Sequence, residues 1–382
     1  MSMEFSNKNF TLGVLGGGQL GRMLIQEAVN LNISVAIMDP DENAPCRFLC
    51  EKFVQGDLMS EAAVLDFGKH VNVLTVEIEH VNTAALLQLE AAGVSVYPQP
   101  LVLQMVQDKG LQKEFYRSHK IPTADFVLLQ NKEELRKYSD RFPAMLKLRK
   151  GGYDGKGVMK IKSEVDVARA FDAPCVLEKL IPFEKEISVI VARNHSGEIV
   201  HYPPVEMDFN PHANLVEFLY SPARINSEIE LEAIRIARLV IEKTAMVGLL
   251  AVEMFVTKEG TVLVNEIAPR PHNSGHQTIE GNSTSQYAQH LRAILNLPLG
   301  DTAIIQPSVM LNLLGEQGYT GDAKYEGIEE AMKIPGVYIH LYGKKMTKPF
   351  RKMGHITVTD SRIEGAIEKA KKVQQLVKVI SN

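Results

Sequence analysis

Two glutamates, Glu253 and Glu266, lie in apolar runs (249–257 and 261–267) joined through Lys258-Glu259-Gly260-Thr261. If Glu259-Gly260 forms a two-residue hairpin turn, opposed residues sum to 519, which pairs Lys258 with Thr261, Phe255 with Val264, and Glu253 with Glu266. Two carboxylates then face each other about 5 Å apart on one side of a sheet, which is destabilising unless a cation lies between them. The expected cation is Mg²⁺, which takes one or two carboxylates and leaves positions for phosphate oxygens. A three-residue loop would instead send the two side chains to opposite faces as solvated edge charges.

Four other segments could carry chemistry. The loop Gly151-Gly152-Tyr153-Asp154-Gly155-Lys156-Gly157 sits between strand-like Ala144–Leu148 and Val158–Ile161, with Lys147 and Lys150 beside it. It lacks the Gly-Lys-Ser/Thr ending of a Walker A motif and enters a strand, so it is not a P-loop. Its glycine amides and ammonium groups suit a flap over a polyphosphate; a solvated surface hairpin is the bland alternative. The run Glu266-Ile-Ala-Pro-Arg-Pro-His-Asn-Ser-Gly-His276 puts Arg270, His272, Asn273, Ser274 and His276 on a segment whose prolines exclude regular helix. An anion clamp follows more readily than zinc, because His-x3-His faces one way only on a helix. A basic cluster, Lys344, Lys345, Lys348, Arg351, Lys352 and His355, is either a solvated face or the seat of a phosphate-bearing substrate.

Gly16-Gly17-Gly18-Gln19-Leu20-Gly21 fits Gly-x-Gly-x-x-Gly between a strand and a helix, and Asp39 follows Gly21 by 18 residues. That pattern admits a nicotinamide-dinucleotide site and hence an oxidoreductase, although a βα turn needs glycine on steric grounds alone.

The elements that must hold these residues follow from pattern. At about 150 residues per domain, 382 residues predict two or three domains. A composition of 45% hydrophobic and 23% charged residues excludes disordered and fibrous classes. The net charge of −4 argues for no nucleic-acid partner, and no run is long enough for a membrane span. The N-terminus has no apolar core of a secretory signal. Cys46, Cys50 and Cys175 form no framework and read as reduced, which favours a cytoplasmic setting. Residues 11–39 read as one βαβ unit, and alternation continues to about 100 with strands at Val73–Val76 and Val94–Tyr97 around a helix at Thr83–Ala92. A helix runs from Asp108 to the Ile121-Pro122 break, an amphipathic helix covers 226–246, and the last eighty residues hold three strands and a final helix.

Together the glycine flap, the paired glutamates and Val176-Leu177-Glu178-Lys179-Leu180-Ile181 with Glu186 resemble the ATP-grasp superfamily. Within it, the motifs at 16–23, 151–157 and 269–276 resemble the N5-carboxyaminoimidazole ribonucleotide synthetases; the formate-using glycinamide ribonucleotide transformylases share the architecture but fit the last two motifs less well. The resemblance implies an α/β protein of three domains: an N-terminal parallel α/β pre-grasp domain (1–100), an α+β ATP-grasp domain (101–300, with a lid at about 120–188), and a small C-terminal domain (301–382). It implies ATP-dependent carboxylation of 5-aminoimidazole ribonucleotide by bicarbonate through carboxyphosphate, with ATP and Mg²⁺ bound and a homodimeric, cytoplasmic enzyme.

Residue by residue, the resemblance makes Lys109 and Lys147 nucleotide-phosphate lysines and Gly152, Tyr153, Asp154, Gly155, Lys156 and Gly157 the flap. Glu178, Lys179, Leu180 and Ile181 become the adenine hinge, Glu186 the ribose contact, Asn265 a nucleotide neighbour, and Glu253 and Glu266 the magnesium ligands. Tyr153, Lys156, Arg270, His272, Asn273 and Ser274 fall in the bicarbonate and aminoimidazole region, and Gln19, Glu77, Arg351 and Lys352 in the ribonucleotide pocket. Some family members carry Arg where Lys156 stands, and Lys keeps the charge without the bidentate fork.

Overall fold

The computed structural model describes residues 10–152, 157–209 and 215–381. The N-terminal unit has five parallel strands, β1 (Thr11–Leu15), β2 (Ser34–Asp39), β3 (Lys52–Gln55), β4 (Val73–Val76) and β5 (Ser95–Val96), in the order β3-β2-β1-β4-β5. All four residues of β4 are buried, as befits a parallel strand covered on both faces. Helices α1 (Gln19–Asn30), α2 (Glu61–Gly68) and α3 (Thr83–Ala91) cover the sheet, and the order reverses beside β1, where ligands of such sheets sit.

Helices α4 (Pro100–Gln107) and α5 (Lys109–Ser118) lead into a separate four-stranded sheet. Its strands are β6 (Phe126–Leu129), β7 (Ala144–Leu148), β8 (Val158–Ile161) and β9 (Cys175–Lys179), ordered β6-β9-β7-β8 around their own apolar cluster. Helix α5 stops at Ser118, short of the expected Ile121-Pro122 break, and Lys120 then turns the chain at φ 53°. The helix starts where expected. Asp108 accepts from the N–H groups of Gly110 and Leu111 (2.8 and 3.3 Å) and takes a bidentate grip from Arg149 at 2.8 and 2.7 Å.

Burial would raise the Asp108 carboxyl, but Arg149 and the two amides outweigh it and hold it below the usual range. Its stabilisation is therefore present above the unfolded carboxylate value and lost as pH falls through the lower folded value, below about pH 4. Asp108→Ala strips a cap and leaves Arg149 without its carboxylate, so it should cost about 3 kcal/mol, read as earlier chemical unfolding at neutral pH. An unchanged midpoint would show that solvent replaces the pair.

The main sheet runs through the rest of the chain. Its strands are β10 (Phe183–Arg193), β11 (Ile199–His201), β12 (Val205–Phe209), β13 (Val216–Ser221), β14 (Gly248–Thr257), β15 (Val262–Ala268), β16 (Ser308–Leu314), and two further C-terminal strands. After β17 (Gly321–Glu326) come β18 (Val337–Leu341), β19 (Met346–Thr347) and β20 (Lys352–Thr359); β21 (Lys378–Ser381) ends the chain, and β19-β17-β21 form a small separate sheet. The main order is β15-β14-β10-β12-β13-β16-β20-β18, so the C-terminal strands extend the central sheet through the β13–β16 pairing. Helix α6 (Ser227–Thr244) is capped by the Asn226 side chain, has Glu228 and Glu230 in its first turn, and buries Ala233, Ile236, Ala237, Val240 and Ile241 on the sheet.

Candidate functional site

Glu253 and Glu266 do face each other, but the register that brings them there is not the expected one. Near the turn the pairs are Val256–Val262, Phe255–Leu263 and Met254–Val264, one residue out from the two-residue turn. That register alone would separate the carboxylates. Asn265 is an extra residue on β15, a bulge that shifts the pairing back so that Glu253 meets Glu266, Val252 meets Ile267 and Ala251 meets Ala268. The bulge also frees Asn265 to accept from Lys147 Nζ at 2.9 Å.

Around the pair the charges are unequal. Lys109 Nζ lies 2.8 Å from Glu266 Oε2 and, with burial opposing, holds that carboxyl well below the usual range. Burial, then the charges of Glu266 and Glu186, push Glu253 up. The two titrate as a unit, with the first proton held on the Glu253 side. Glu186, on β10 beside Lys147 and Glu266, is raised to about 7, chiefly by burial. Lys147 and Lys113 grip the Glu178 carboxylate from two sides, at 2.9 and 3.1 Å, and all three side chains are buried. Lys113 was not foreseen as part of this cluster.

The loop after β15 is held by its neighbours rather than by regular structure. Gln286, on α8 (Gln286–Ile294, after the short α7, Thr278–Gly281), brackets the His272 peptide: its Oε1 accepts from His272 N–H and its Nε2 donates to His272 O, both at 2.8 Å. His272 Nδ1 and Ser274 Oγ are 2.9 Å apart, and Ser274 Oγ meets Ser188 Oγ at 2.9 Å. Burial, helped by Arg270 and Lys352, pushes His272 down to about 3, so the ring is neutral, with Nε2 3.5 Å from Glu253. Arg270 reaches across to Glu79 at 2.8 Å and so ties this loop to the N-terminal sheet. Asn273 opens the following 3-10 turn and is partly buried.

At the first glycine run the dinucleotide reading meets two occupied positions. Gly17 N–H donates to Asp39 Oδ2 at 2.6 Å, and Leu20 N–H, at the start of α1, donates to Glu77 Oε1 at 3.1 Å. A carboxylate thus stands where a pyrophosphate would need the helix amides. Burial raises Glu77 to about 7 despite the nearby Arg270 and Lys344 charges. Gln19, the first residue of α1, is partly buried beside it.

Of the remaining expected residues, Lys179 is exposed with its N–H on Asp125 O (2.8 Å), and Leu180 and Ile181 form the connection from β9 to β10. Gly152 and Gly157 are the described ends of the second glycine loop, and Gly157 takes φ 76° while its carbonyl accepts from Leu148 N–H at 2.8 Å. Tyr153, Asp154, Gly155 and Lys156 lie outside the described residues. The basic cluster divides. Lys352 bears on His272 and Glu253, and Lys344 on Glu77, whereas Lys345 and Lys348 are exposed, Arg351 donates to Met346 O, and His355 is fully buried.

Comparison with known proteins agrees with this architecture along the chain. Residues 10–107 match the ribonucleotide synthetase preATP-grasp domain, 114–287 the ATP-grasp domain, and 308–369 the phosphoribosylaminoimidazole carboxylase C-terminal domain. The chain is 41% identical over 361 residues to the chloroplastic phosphoribosylaminoimidazole carboxylase of Vigna aconitifolia, covering 92% of this chain but only 64% of that relative's length. It is 36% identical to the N5-carboxyaminoimidazole ribonucleotide synthase of Bacillus subtilis, covering 94% of this chain and 93% of the relative. The crystal structure of N5-carboxyaminoimidazole synthase from Aspergillus clavatus in complex with ADP and 5-aminoimidazole ribonucleotide superposes with a TM-score of 0.88 at 36% identity, covering 96% of this chain and 98% of that one. Likeness at this identity over more than nine tenths of both chains, with a site built from an opposed carboxylate pair, its lysines and a separate four-stranded sheet, places the chain in the N5-carboxyaminoimidazole ribonucleotide synthetase family of ATP-grasp ligases.

Proposed function

We propose that this chain uses ATP to carboxylate 5-aminoimidazole ribonucleotide with bicarbonate, giving N5-carboxyaminoimidazole ribonucleotide, ADP and phosphate. The observation that carries the reading is the Glu253–Glu266 pair with Lys109 and Lys147 beside it, between the lid sheet and the Arg270–Ser274 loop. Two facing carboxylates, one of them pushed up by burial and then by the other, fit a divalent cation, whose charge would favour both in their ionised forms. Mg²⁺ bound there would supply charge neutralisation for the transferring phosphoryl group.

The chain's own residues then do the positioning. Lys109 and Lys147 hold the nucleotide phosphates, and Glu186 and the 178–181 segment hold its ribose and adenine. Bicarbonate oxygen attacks the γ-phosphorus and the bond to ADP breaks, leaving carboxyphosphate; the amine then attacks its carboxyl carbon, phosphate departs, and the amine loses a proton. Tyr153, Lys156, Arg270, His272, Asn273 and Ser274 surround those reacting groups. A neutral His272, fixed by Gln286 and Ser274, can accept or donate a hydrogen bond there without adding charge. Glu77, Gln19, Arg351 and Lys352 hold the ribonucleotide. No protein nucleophile enters; catalysis is positioning, electrostatics and exclusion of water from a short-lived acyl phosphate.

The same reading carries a cytoplasmic homodimer, supported by the family resemblance; among the described residues no helix is long and apolar enough to cross a membrane. ADP release should require ATP, Mg²⁺, bicarbonate and 5-aminoimidazole ribonucleotide together, and glycinamide ribonucleotide with formate should not substitute. Release that ignores the aminoimidazole ribonucleotide would reject the assignment.

A further inference from the structure

Lys113 belongs to no part of the mechanism above, yet it is among the largest fully buried side chains of the molecule, with 2% of its side chain exposed. A lysine is buried to this extent only when something holds its charge. Its Nζ donates to Thr123 Oγ1 at 2.6 Å and meets Glu178 Oε1 at 3.1 Å. Thr123 Oγ1 in turn donates to Val264 O at 2.7 Å, which fixes Lys113 to β15 next to the Asn265 bulge. The other oxygen of Glu178 takes Lys147 at 2.9 Å, and Lys147 also donates to Asn265.

This chain of contacts crosses the boundary between lid and body twice. Lys113, on α5, and Asn265, on β15, belong to the body; Glu178, on β9, and Lys147, on β7, belong to the lid sheet. One buried carboxylate is shared between two ammonium groups, so the trio carries a net positive charge. Were Lys113 absent or neutral, Glu178 would pair with Lys147 alone and cancel its charge.

We propose that Lys113 is a positioning and charge-balancing residue for nucleotide binding: by occupying half of Glu178 it leaves the charge of Lys147 available to phosphate and fixes the lid sheet at the body. The inference rests on the reading of Lys147 as a phosphate-holding residue. The surroundings of Lys113 make its own proton responsive to pH. It faces Lys109 and Tyr116 from its own helix, Glu178 from β9, Lys147 from β7, Thr123 from the following loop, and Glu266 bears on Tyr116 from β15. Burial, only partly offset by Glu178, lowers Lys113 to about 8. Above that pH the ammonium is lost, and the same cancellation follows without any substitution.

The test is binding of ATP with Mg²⁺, followed by calorimetry on the full chain without bicarbonate or ribonucleotide. Lys113→Met should weaken binding by about tenfold or more, because one charge of the trio is lost in a water-poor site. Lys113→Arg keeps a charge that does not titrate in this range and leaves Glu178 intact, so it should bind more tightly than K113M and within about threefold of wild type. A lysine needed for packing alone predicts the opposite order, since the methionine fits the space better. In the wild-type protein, affinity should fall as pH rises through about 8, and K113R should lack that limb. Binding by K113M within about twofold of wild type, K113R no tighter than K113M, or a flat wild-type profile from pH 7 to 9 would overturn the inference, the last even if K113M fails to fold. Wild-type protein that binds no ATP at all would overturn the reading of the whole site instead.

Discussion

Glu266→Gln should abolish ribonucleotide-dependent ADP release, by about a thousandfold or more, while the chain stays folded. The substitution changes no volume and removes one charge from the place where several converge. Glu266 holds Lys109 at 2.8 Å and faces Glu253 across β14 and β15. With a neutral amide there, Lys109 loses its ionised partner and a divalent cation keeps one charged ligand of two. The cost should fall on function rather than folding, because Glu266 retains 44% of its side-chain exposure and Lys109 can turn to solvent or phosphate. Thermal unfolding close to wild type beside lost turnover is the expected pair of results. Turnover within tenfold of wild type would show that the opposed glutamates are not the cation seat.

The pairing of those glutamates was legible in the sequence for a reason that is only half right. The sum rule assumed a two-residue turn and an unbroken ladder; the hairpin has neither, and the bulge at Asn265 restores the alignment that the turn displaces. A bulge is a local backbone choice that alternating hydrophobicity does not reveal, whereas elements with clear periodicity, such as β4 and α6, lie where their patterns put them. What pattern could not show is which distant charges meet. Three strands, β6, β7 and β8, lie between Lys113 and Glu178 in sequence, and Arg149 reaches back to cap-bearing Asp108 across 41 positions. Such partners are fixed by the packing of one sheet against another, and a single sequence carries no trace of them. The basic cluster shows the same limit from the other side: neighbours in sequence, Lys344, Lys345, Lys348 and Lys352, have different surroundings because the first three fall in the connections on either side of β19 and Lys352 opens β20.

Gly18→Ala tests the proposed assignment of Glu77 to the ribonucleotide, and it should do so without disturbing ATP binding. Gly18 has φ −78° and ψ −158°, an extended conformation open to any residue, so alanine brings no backbone strain. Its new Cβ would stand 2.5 Å from Glu77 Oε1 and 3.1 Å from the carboxyl carbon. Those atoms are the far end of a side chain that can swing aside, so the expected response is a displaced carboxylate rather than a broken fold. Displacement removes Glu77 from the Leu20 N–H at the start of α1, a bond that above about pH 7, where the carboxyl is ionised, is of the charge-assisted kind worth about 1.5–3 kcal/mol. If Glu77 holds the ribonucleotide, that loss should appear as a rise of about 10- to 100-fold in the concentration of 5-aminoimidazole ribonucleotide needed for ADP release, with ATP binding unchanged. Gly16→Ala is the control that separates geometry from mere bulk, since Gly16 sits at φ +103° and its substitution strains the turn, lowering stability as well as affinity. A Gly18→Ala enzyme with an unaltered ribonucleotide requirement would mean that the glycine is there for the βα turn alone and that Glu77 serves the packing of α1 instead of the substrate.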